Sequence, residues 1–392
     1  MTCGTDVMPE KGLETGRAVG KGPLQVSLLC LDAGTLWERA LVGGDATGDS
    51  QLGWGPASRE EKPSAKRGVE KSRIGEVTEH IILSTLFAFC ITILTVFRYL
   101  QVTEFGCGGL VIGCTFDHRI ADAYSANMFF TIWAKLSRND STASLNPSIT
   151  RSILCPRDSP AHCAEINNMY VRHCSQEFSQ ENPHPPSLVS RIYYLDVKNI
   201  MDLQFNAKKD GKSNTKLEVF SAYLWKLLIS SHKVKDTINC KIGIVVDGRQ
   251  HLREIGISAN YFGNVLTLPF AESNAGYIKS KPLCWSAGLI HDAIKSAANE
   301  EHFQSLIDFV ETTKPTPVLA KIYCGADDME SSGPAVLVSS GLWFPLYEVD
   351  FGWGKPTFVS YHFPWGAEAG YVMPTHSPLG DGSWIVYMHL PM

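Results

Sequence analysis

Paired cysteine spacing is missing from this chain. Its eleven cysteines stand singly, none in a Cys-x-x-Cys, and an odd number cannot pair completely. That argues against a disulfide scaffold and for free, buried thiols in a reducing compartment. A block of one charge is missing too. The 35 basic and 40 acidic residues give a net charge of -5, with no basic stripe to neutralise phosphates, which excludes a nucleic-acid partner. No Gly-x-Ser-x-Gly elbow surrounds Ser339-Ser340, so a serine hydrolase is excluded. Gly106-Cys-Gly-Gly109 lacks the strand-to-helix setting of a phosphate loop and reads as a strand-edge turn. Cys155, His162, Cys163, His173 and Cys174 crowd one stretch without the spacing of a zinc knuckle, so no metal is expected. Residues 1–30 carry Lys and Gly where the apolar core of a secretory signal would sit.

The 392 residues, 44% hydrophobic and 19% charged, are enough for two globular domains with sizeable cores. Residues 1–80 are rich in Gly, Lys, Glu and Ser without sustained periodicity and read as disordered. Ile81 to Phe97 is an uncharged run of 17 residues, at the short end of a bilayer span. It abuts a core strand without a linker, which favours a buried segment over a membrane anchor. From Gln101 the pattern becomes that of a packed α/β protein. Gly108 to Phe116 reads as a buried strand delivering His118 at its end, and Asp122 to Lys135 as a helix with Met128, Ile132 and Trp133 on one face.

Ser137 to Ser190 reads as a long loop crossing between domains, and Arg191 to Val197 as a strand. Asn214 to His232 reads as a helix capped by Asn214 or Thr215, with Leu217, Phe220, Leu224, Leu227 and Leu228 as its apolar stripe. Ile242 to Val246 is a buried strand leading to Asp247-Gly-Arg249, and Ala287 to Thr312 reads as one helix. Ala335 to Val338 and Trp384 to Met388 read as strands.

Two motifs single out a chemistry. His118-Arg-Ile-Ala-Asp122 is common by chance alone, but it is answered far downstream by Asp350-Phe-Gly-Trp-Gly354, which is not. In order between and around them stand Phe105-Gly-Cys-Gly-Gly109, Ser221-Ala-Tyr-Leu-Trp225, Val246-Asp-Gly-Arg249, Tyr261-Phe-Gly-Asn264 and Asp381-Gly-Ser-Trp-Ile-Val386. From about Gln101 to Pro391 this ordered set resembles the plant BAHD acyltransferases. The Tyr124-Ser-Ala-Asn127 context is most similar to the coniferyl-alcohol and hydroxycinnamoyl acyltransferases.

The resemblance implies a two-domain α/β fold of mixed sheets and helices with a channel at the domain interface. The first domain would occupy 101–185 and the second 186–392, with 1–100 outside the likeness as disordered or translated non-coding sequence. It implies transfer of a hydroxycinnamoyl or similar acyl group from acyl-coenzyme A, a co-substrate and not a bound cofactor, to a small alcohol. The enzyme would be cytoplasmic and monomeric. His118 would be the general base, its near-neutral pKa suiting proton abstraction from the attacking hydroxyl. Asp122 would shape the site through an ion pair, and Asp350 would pair with a second-domain arginine, Arg249 being the candidate partner for one of the two. Gly352 and Gly354, flanking Trp353, would supply backbone angles that a Cβ forbids.

The sequence departs from the family within both motif regions and towards both ends. Ala123 stands where a glycine usually follows the first motif. In Ser339-Ser-Gly-Leu-Trp343, Gly341 replaces a Trp, and Trp343 takes a basic position that in some members holds an acceptor carboxylate. Trp343 therefore points to a neutral acceptor. The family-like region ahead of the His118 strand is not recognisable, and family members continue beyond the Trp384 strand. The competing expectation is a truncated, impaired member acting in binding or interaction.

Overall fold

A glycine turn sets the first hairpin of the fold. Strand β2 (Phe97–Glu104) is linked to β3 (Leu110–Asp117) by a bend in which Phe105 N donates to Gly109 O at 2.8 Å and Gly108 takes φ +86°. That angle suits glycine alone among common residues. The computed structural model describes residues 24–31, 97–105, 108–140, 146–172, 188–208, 214–231, 234–324, 332–362 and 369–391. The apolar run 81–97 lies outside them except for Phe97, which opens β2. Among the described residues no helix is long and apolar enough to cross a membrane.

Strand β3 buries Ile112, Cys114 and Phe116 on one face, with half-buried residues between them, so it is a one-sided strand and not one enclosed on both faces. A strand also lies within the residues read as disordered. Strand β1 (Leu24–Leu31) runs antiparallel between β3 and β12 (Pro356–His362), giving a four-stranded antiparallel sheet in the order β12-β1-β3-β2. The segment LQVSLLCL is locally apolar, but its partners lie far along the chain, so its pairing could not be read from the Gly-, Lys- and Glu-rich stretch around it.

Helix α1 (Ala123–Ser137) follows β3 directly. Asp122 caps it, accepting from Ser125 N at 2.9 Å, and the helix buries Ala126, Phe130, Trp133 and Ala134. Its Phe130 and Trp133 pack with Ile112, Phe351, Tyr361 and Tyr387 in a core that joins the first sheet to the downstream motif.

Within the segment read as a long loop, the described residues include regular structure. It carries the short helix α2 (Ala164–Met169) and β4 (Tyr170–Arg172), which pairs antiparallel with β10 (Val318–Ala320). A second, six-stranded sheet comprises β5 (Leu188–Leu195), β14 (Trp384–Pro391), β13 (Gly370–His376), β11 (Ser332–Val338), β6 (Asn239–Ile244) and β9 (Phe270–Asn274), in that order. It is mixed, with β11 parallel to both β6 and β13 and the remaining pairs antiparallel.

Between β5 and β6 lie α3 (Val197–Asn206) and α4 (Lys216–Ser231). A reciprocal capping box starts α4: Thr215 N donates to Glu218 Oε2 at 2.6 Å, and Glu218 N to Thr215 Oγ1 at 3.2 Å. Its buried face holds Val219, Phe220, Leu224, Trp225 and Ile229, whereas Leu227, expected in the stripe, is 50% exposed. The short ribbon β7 (Val246–Asp247) and β8 (Leu266–Thr267) follows, then the short α5 (Ala275–Ser280) after β9. The helix expected over Ala287 to Thr312 is two, α6 (Leu283–Ala297) and α7 (Glu300–Thr313). Asn299 ends the periodicity by capping α7 through His302 N at 2.9 Å, an alternative to helical bonding that Asn side chains favour. Trp225, Ile242, Val338, Trp384 and Val386 form the main core between these helices and the second sheet.

Candidate active site

His118 sits on the turn where β3 hands over to α1, and each neighbour constrains that turn. Asp117, almost fully buried, grips Arg119 across it, with Arg119 Nη2 2.6 Å and Nε 3.0 Å from its carboxylate, while Arg119 N donates to Oδ1 at 3.0 Å. The His118 carbonyl accepts from Asn264 Nδ2 at 2.7 Å. Burial holds the imidazole pKa below its ordinary value of 6.5, although Asn264 and the charges of Asp122 and Asp117 pull the other way. At neutral pH the ring is therefore uncharged and able to accept a proton.

Asp122 does not spend its carboxylate on a relay to His118. Oδ2 accepts from Arg249 Nη1 at 2.9 Å, Oδ1 accepts from Arg249 Nη2 at 3.1 Å, and Oδ1 also holds the helix cap. Both side chains are 3% exposed or less, so this is a buried, bidentate pair of the geometry only arginine supplies. The remaining donors of Arg249 are used as well. Nε donates to Tyr261 O at 3.0 Å, Nη2 to Gly263 O at 2.7 Å and Nη1 to Asp247 Oδ1 at 3.0 Å, and the guanidinium lies 4.7 Å from the centroid of the Tyr124 ring. Ser125 Oγ completes the cluster, accepting from Gly263 N at 2.9 Å. Arg249 thus gathers the start of α1, the turn after β7 and the strap Tyr261–Asn264 around His118.

Asp350 pairs elsewhere. Its partner is not a second-domain arginine but Arg138, the residue that ends α1, at 3.6 Å. Oδ1 of Asp350 also accepts from Gly352 N at 2.7 Å and Gly354 N at 3.1 Å, and these bonds, chiefly the first, hold its carboxyl below the usual carboxylate range. Gly352 and Gly354 adopt φ +98° and +114°, angles that disfavour any residue with a Cβ. Phe351 packs edge-on against Trp133 at 4.7 Å and is stacked by Trp353 at 5.6 Å. The two motifs therefore sit at opposite ends of α1, about 24 Å apart at 1.5 Å per residue from Asp122 to Arg138.

Trp343 lies in the loop after β11 and is 83% exposed. A Cβ on Gly341 would lie 2.7 Å from Thr375 Cγ2, so the backbone as it stands leaves no room for a side chain there. Among the described residues no group of three or more His, Cys, Asp or Glu is placed to hold a metal. Sequence reading missed Asn264 and Ser125 as individual contributors, although both lie in quoted segments. It also missed Arg151, a lone arginine in a Ser- and Pro-rich stretch with no motif around it.

The Transferase family model matches residues 94–392. The chain belongs to that family, the BAHD acyltransferases that its two motifs resemble. The match begins ahead of Gln101, inside the apolar run, and takes in all of β2. Among curated relatives, rosmarinate synthase of Plectranthus scutellarioides is 28% identical over 309 residues, covering 74% of this chain and 65% of the relative. Shikimate O-hydroxycinnamoyltransferase of Nicotiana tabacum is 29% identical over 299 residues, covering 74% and 66%. The chain thus spans about 65% of the length of these curated relatives. In fold it is similar to TRI101 of F. sporotrichioides, solved with coenzyme A and T-2, with a TM-score of 0.59 at 19% identity over 74% of this chain and 65% of that one. It is also similar to vinorine synthase, with a TM-score of 0.51 at 20% identity over 75% and 61%. The fold is mixed α/β, as the sequence implied.

Proposed function

We propose that this protein transfers a hydroxycinnamoyl or similar acyl group from acyl-coenzyme A to the hydroxyl of a neutral alcohol. The observation that carries the reading is His118, kept uncharged by burial on a turn that Asn264, Asp117 and the Asp122–Arg249 pair immobilise. The names of the transferase relatives support the acyl class, as they include hydroxycinnamoyl transfer to shikimate.

The chemistry asks little of the protein beyond that base. As the acceptor oxygen attacks the thioester carbonyl carbon, His118 takes the hydroxyl proton. The tetrahedral intermediate then collapses, the carbon–sulfur bond breaks, and the departing thiolate regains the proton from the imidazolium. Coenzyme A leaves readily, so no covalent acyl-enzyme is needed. On this reading donor and acceptor reach His118 from opposite ends of a channel between two domains, residues 101–185 and 186–392. The uncharged Trp343, at the position where some members carry a carboxylate-binding base, selects a neutral acceptor.

The test is release of free coenzyme A thiol from p-coumaroyl-coenzyme A by the purified full chain, with and without aromatic or aliphatic alcohols. Release should depend on the alcohol and fall on the order of a hundredfold or more in His118→Ala. Release unaffected by His118→Ala, or binding of the thioester without turnover, would overturn the reading and leave a binding protein.

A further inference from the structure

The strap Tyr261–Asn264 is held from two sides. Its successive carbonyls alternate between two guanidinium groups: Tyr261 O accepts from Arg249 Nε, Phe262 O from Arg151 Nη1, and Gly263 O from Arg249 Nη2. Arg249 is buried in the site cluster, whereas Arg151 comes from a short 3-10 turn, Arg151–Ile153, and is exposed. Arg151 also meets Tyr261, donating to its hydroxyl at 3.2 Å with the guanidinium carbon 5.6 Å from the ring centroid, and Nη2 reaches Ile120 O at 3.4 Å, on the His118 turn itself. The strap is anchored beside it as well, Phe262 N donating to Ser148 O at 2.8 Å.

The fit between Arg151 and the strap is close. A Cβ on Gly263 would lie 1.8 Å from Arg151 Nη1, so a side chain there would have to displace the guanidinium that occupies its space. The next residue, Asn264, donates to the His118 carbonyl. Arg151 fixes Phe262, Phe262 and Gly263 fix the direction of Asn264, and Asn264 fixes the backbone that carries the imidazole. The Phe262 carbonyl is part-buried between two elements and costs free energy when left unpaired, so removing Arg151 should let the strap rotate to find another donor.

We propose that Arg151 is a positioning residue for His118, acting through the strap Tyr261–Asn264 and interlocked with Gly263. The proposal rests on His118 being the base, and its consequences are distinct from those of Asp122–Arg249. Losing Arg151 leaves the buried ion pair and the helix cap intact and disturbs only the aim of the imidazole. A reacting group shifted by about 1 Å can cost on the order of a hundredfold in rate.

The experiment compares Arg151→Gln, Arg151→Lys, Gly263→Ala and Arg151→Gln/Gly263→Ala in the full chain. Two readouts are taken: the ring NMR signals of His118, assigned by their loss in His118→Gln, and steady-state turnover of p-coumaroyl-coenzyme A. In Arg151→Gln and in Gly263→Ala the His118 signal should move and its titration midpoint should rise as water gains access. Turnover should show kcat lower by on the order of tenfold or more with KM for the thioester unchanged. Because the alanine acts by displacing the arginine, the double variant should be no worse than the poorer single one. His118 signals, titration and kcat all matching wild type in the folded variants would overturn the proposal, as would additive losses in the double variant. If Arg151→Gln does not fold, Arg151→Lys and Gly263→Ala decide by the same readouts. If the wild-type chain has no turnover, the functional reading fails, while the NMR comparison still decides whether Arg151 holds His118.

Discussion

Arg138 ends the helix that Asp122 begins, and it is Arg138, not an arginine near His118, that lies 3.6 Å from the Asp350 carboxylate. One helix therefore separates the chemistry of the first motif from the second. The downstream motif acts as a brace on the far end of α1, through this ion pair and through Phe351 against Trp133.

Asp350→Ala should accordingly cost stability and spare the rate of the chemical step. It removes two backbone hydrogen bonds that close the Gly352–Gly354 turn, together with a half-exposed ion pair of small value. A loss of about 1–2 kcal/mol is expected from the bonds, read as a lower urea midpoint with kcat per folded molecule unchanged. A large drop in kcat at wild-type stability would count against the brace.

The Asp122–Arg249 pair should respond quite differently to single and double substitution. Asp122→Asn keeps an oxygen to cap α1 but removes the buried one of the two counter-charges of Arg249, leaving only the half-buried Asp247, which should cost about 3 kcal/mol. Arg249→Met should be comparably harmful. Combining Arg249→Met with Asp122→Asn should recover part of the loss, because the one carboxylate left without its partner, Asp247, is half-buried and can reach water. Equilibrium unfolding of the three variants checks this, and simple additivity would contradict it.

Stability should fall in mild acid because of His302. This buried residue sits in a chain of hydrogen bonds, its Nε2 2.8 Å from Thr267 Oγ1, which in turn lies 2.9 Å from the Tyr170 hydroxyl. Burial lowers its pKa from 6.5 to about 4. Between those values the unfolded chain binds a proton that the folded protein refuses, so the stabilisation is complete above pH 6.5 and is lost as pH falls toward 4. The amount at stake is on the order of 3 kcal/mol. Urea midpoints measured from pH 7 down to 4 should decline less steeply in His302→Gln than in wild type.

Turnover should have its own acid limb. His118 must be uncharged to accept a proton, and burial places its pKa below the ordinary 6.5. The ratio kcat/KM for the thioester should thus rise with pH through a midpoint below 6.5 and be level at neutrality. A midpoint above 7 would mean that the ring carrying the reaction is not the half-buried His118.

Sequence reading reached the strands and helices whose patterning is local. Strand β3, a helix beginning near Asp122 and a helix cap at Asn214 or Thr215 follow from short-range rules, and both motifs could be read directly. What it missed depends on contacts between distant parts of the chain. Leu227 fits the helical stripe of α4 but faces water, because the packing of α4 on the second sheet and α6 favours the face of Trp225 and Ile229. Asn299 divides a periodic stretch by bonding to its own backbone. Arg249 was the candidate partner for either Asp122 or Asp350, and only the position of the α1 terminus gives Asp350 to Arg138 instead. Arg151 lies in a stretch whose composition marks a loop, and its importance is visible only where Gly263 has no side chain.

Strand β1 has a consequence for how the fold tolerates its own sequence. It comes from residues ahead of the family match, yet it pairs along its whole length with β3, the strand that leads to His118, and joins β3 to β12. A chain cut to 94–392 would keep both motifs and expose two raw edges at once. Ladder bonds are made by main chain, so such a gap accepts extended backbone with little regard for its side chains, and a long connection adds only slowly to the entropic cost of filling it. A synthetic Leu24–Leu31 peptide added in trans should therefore dock in the gap and stabilise the shortened chain, which makes this position in the sheet a socket for donated strands.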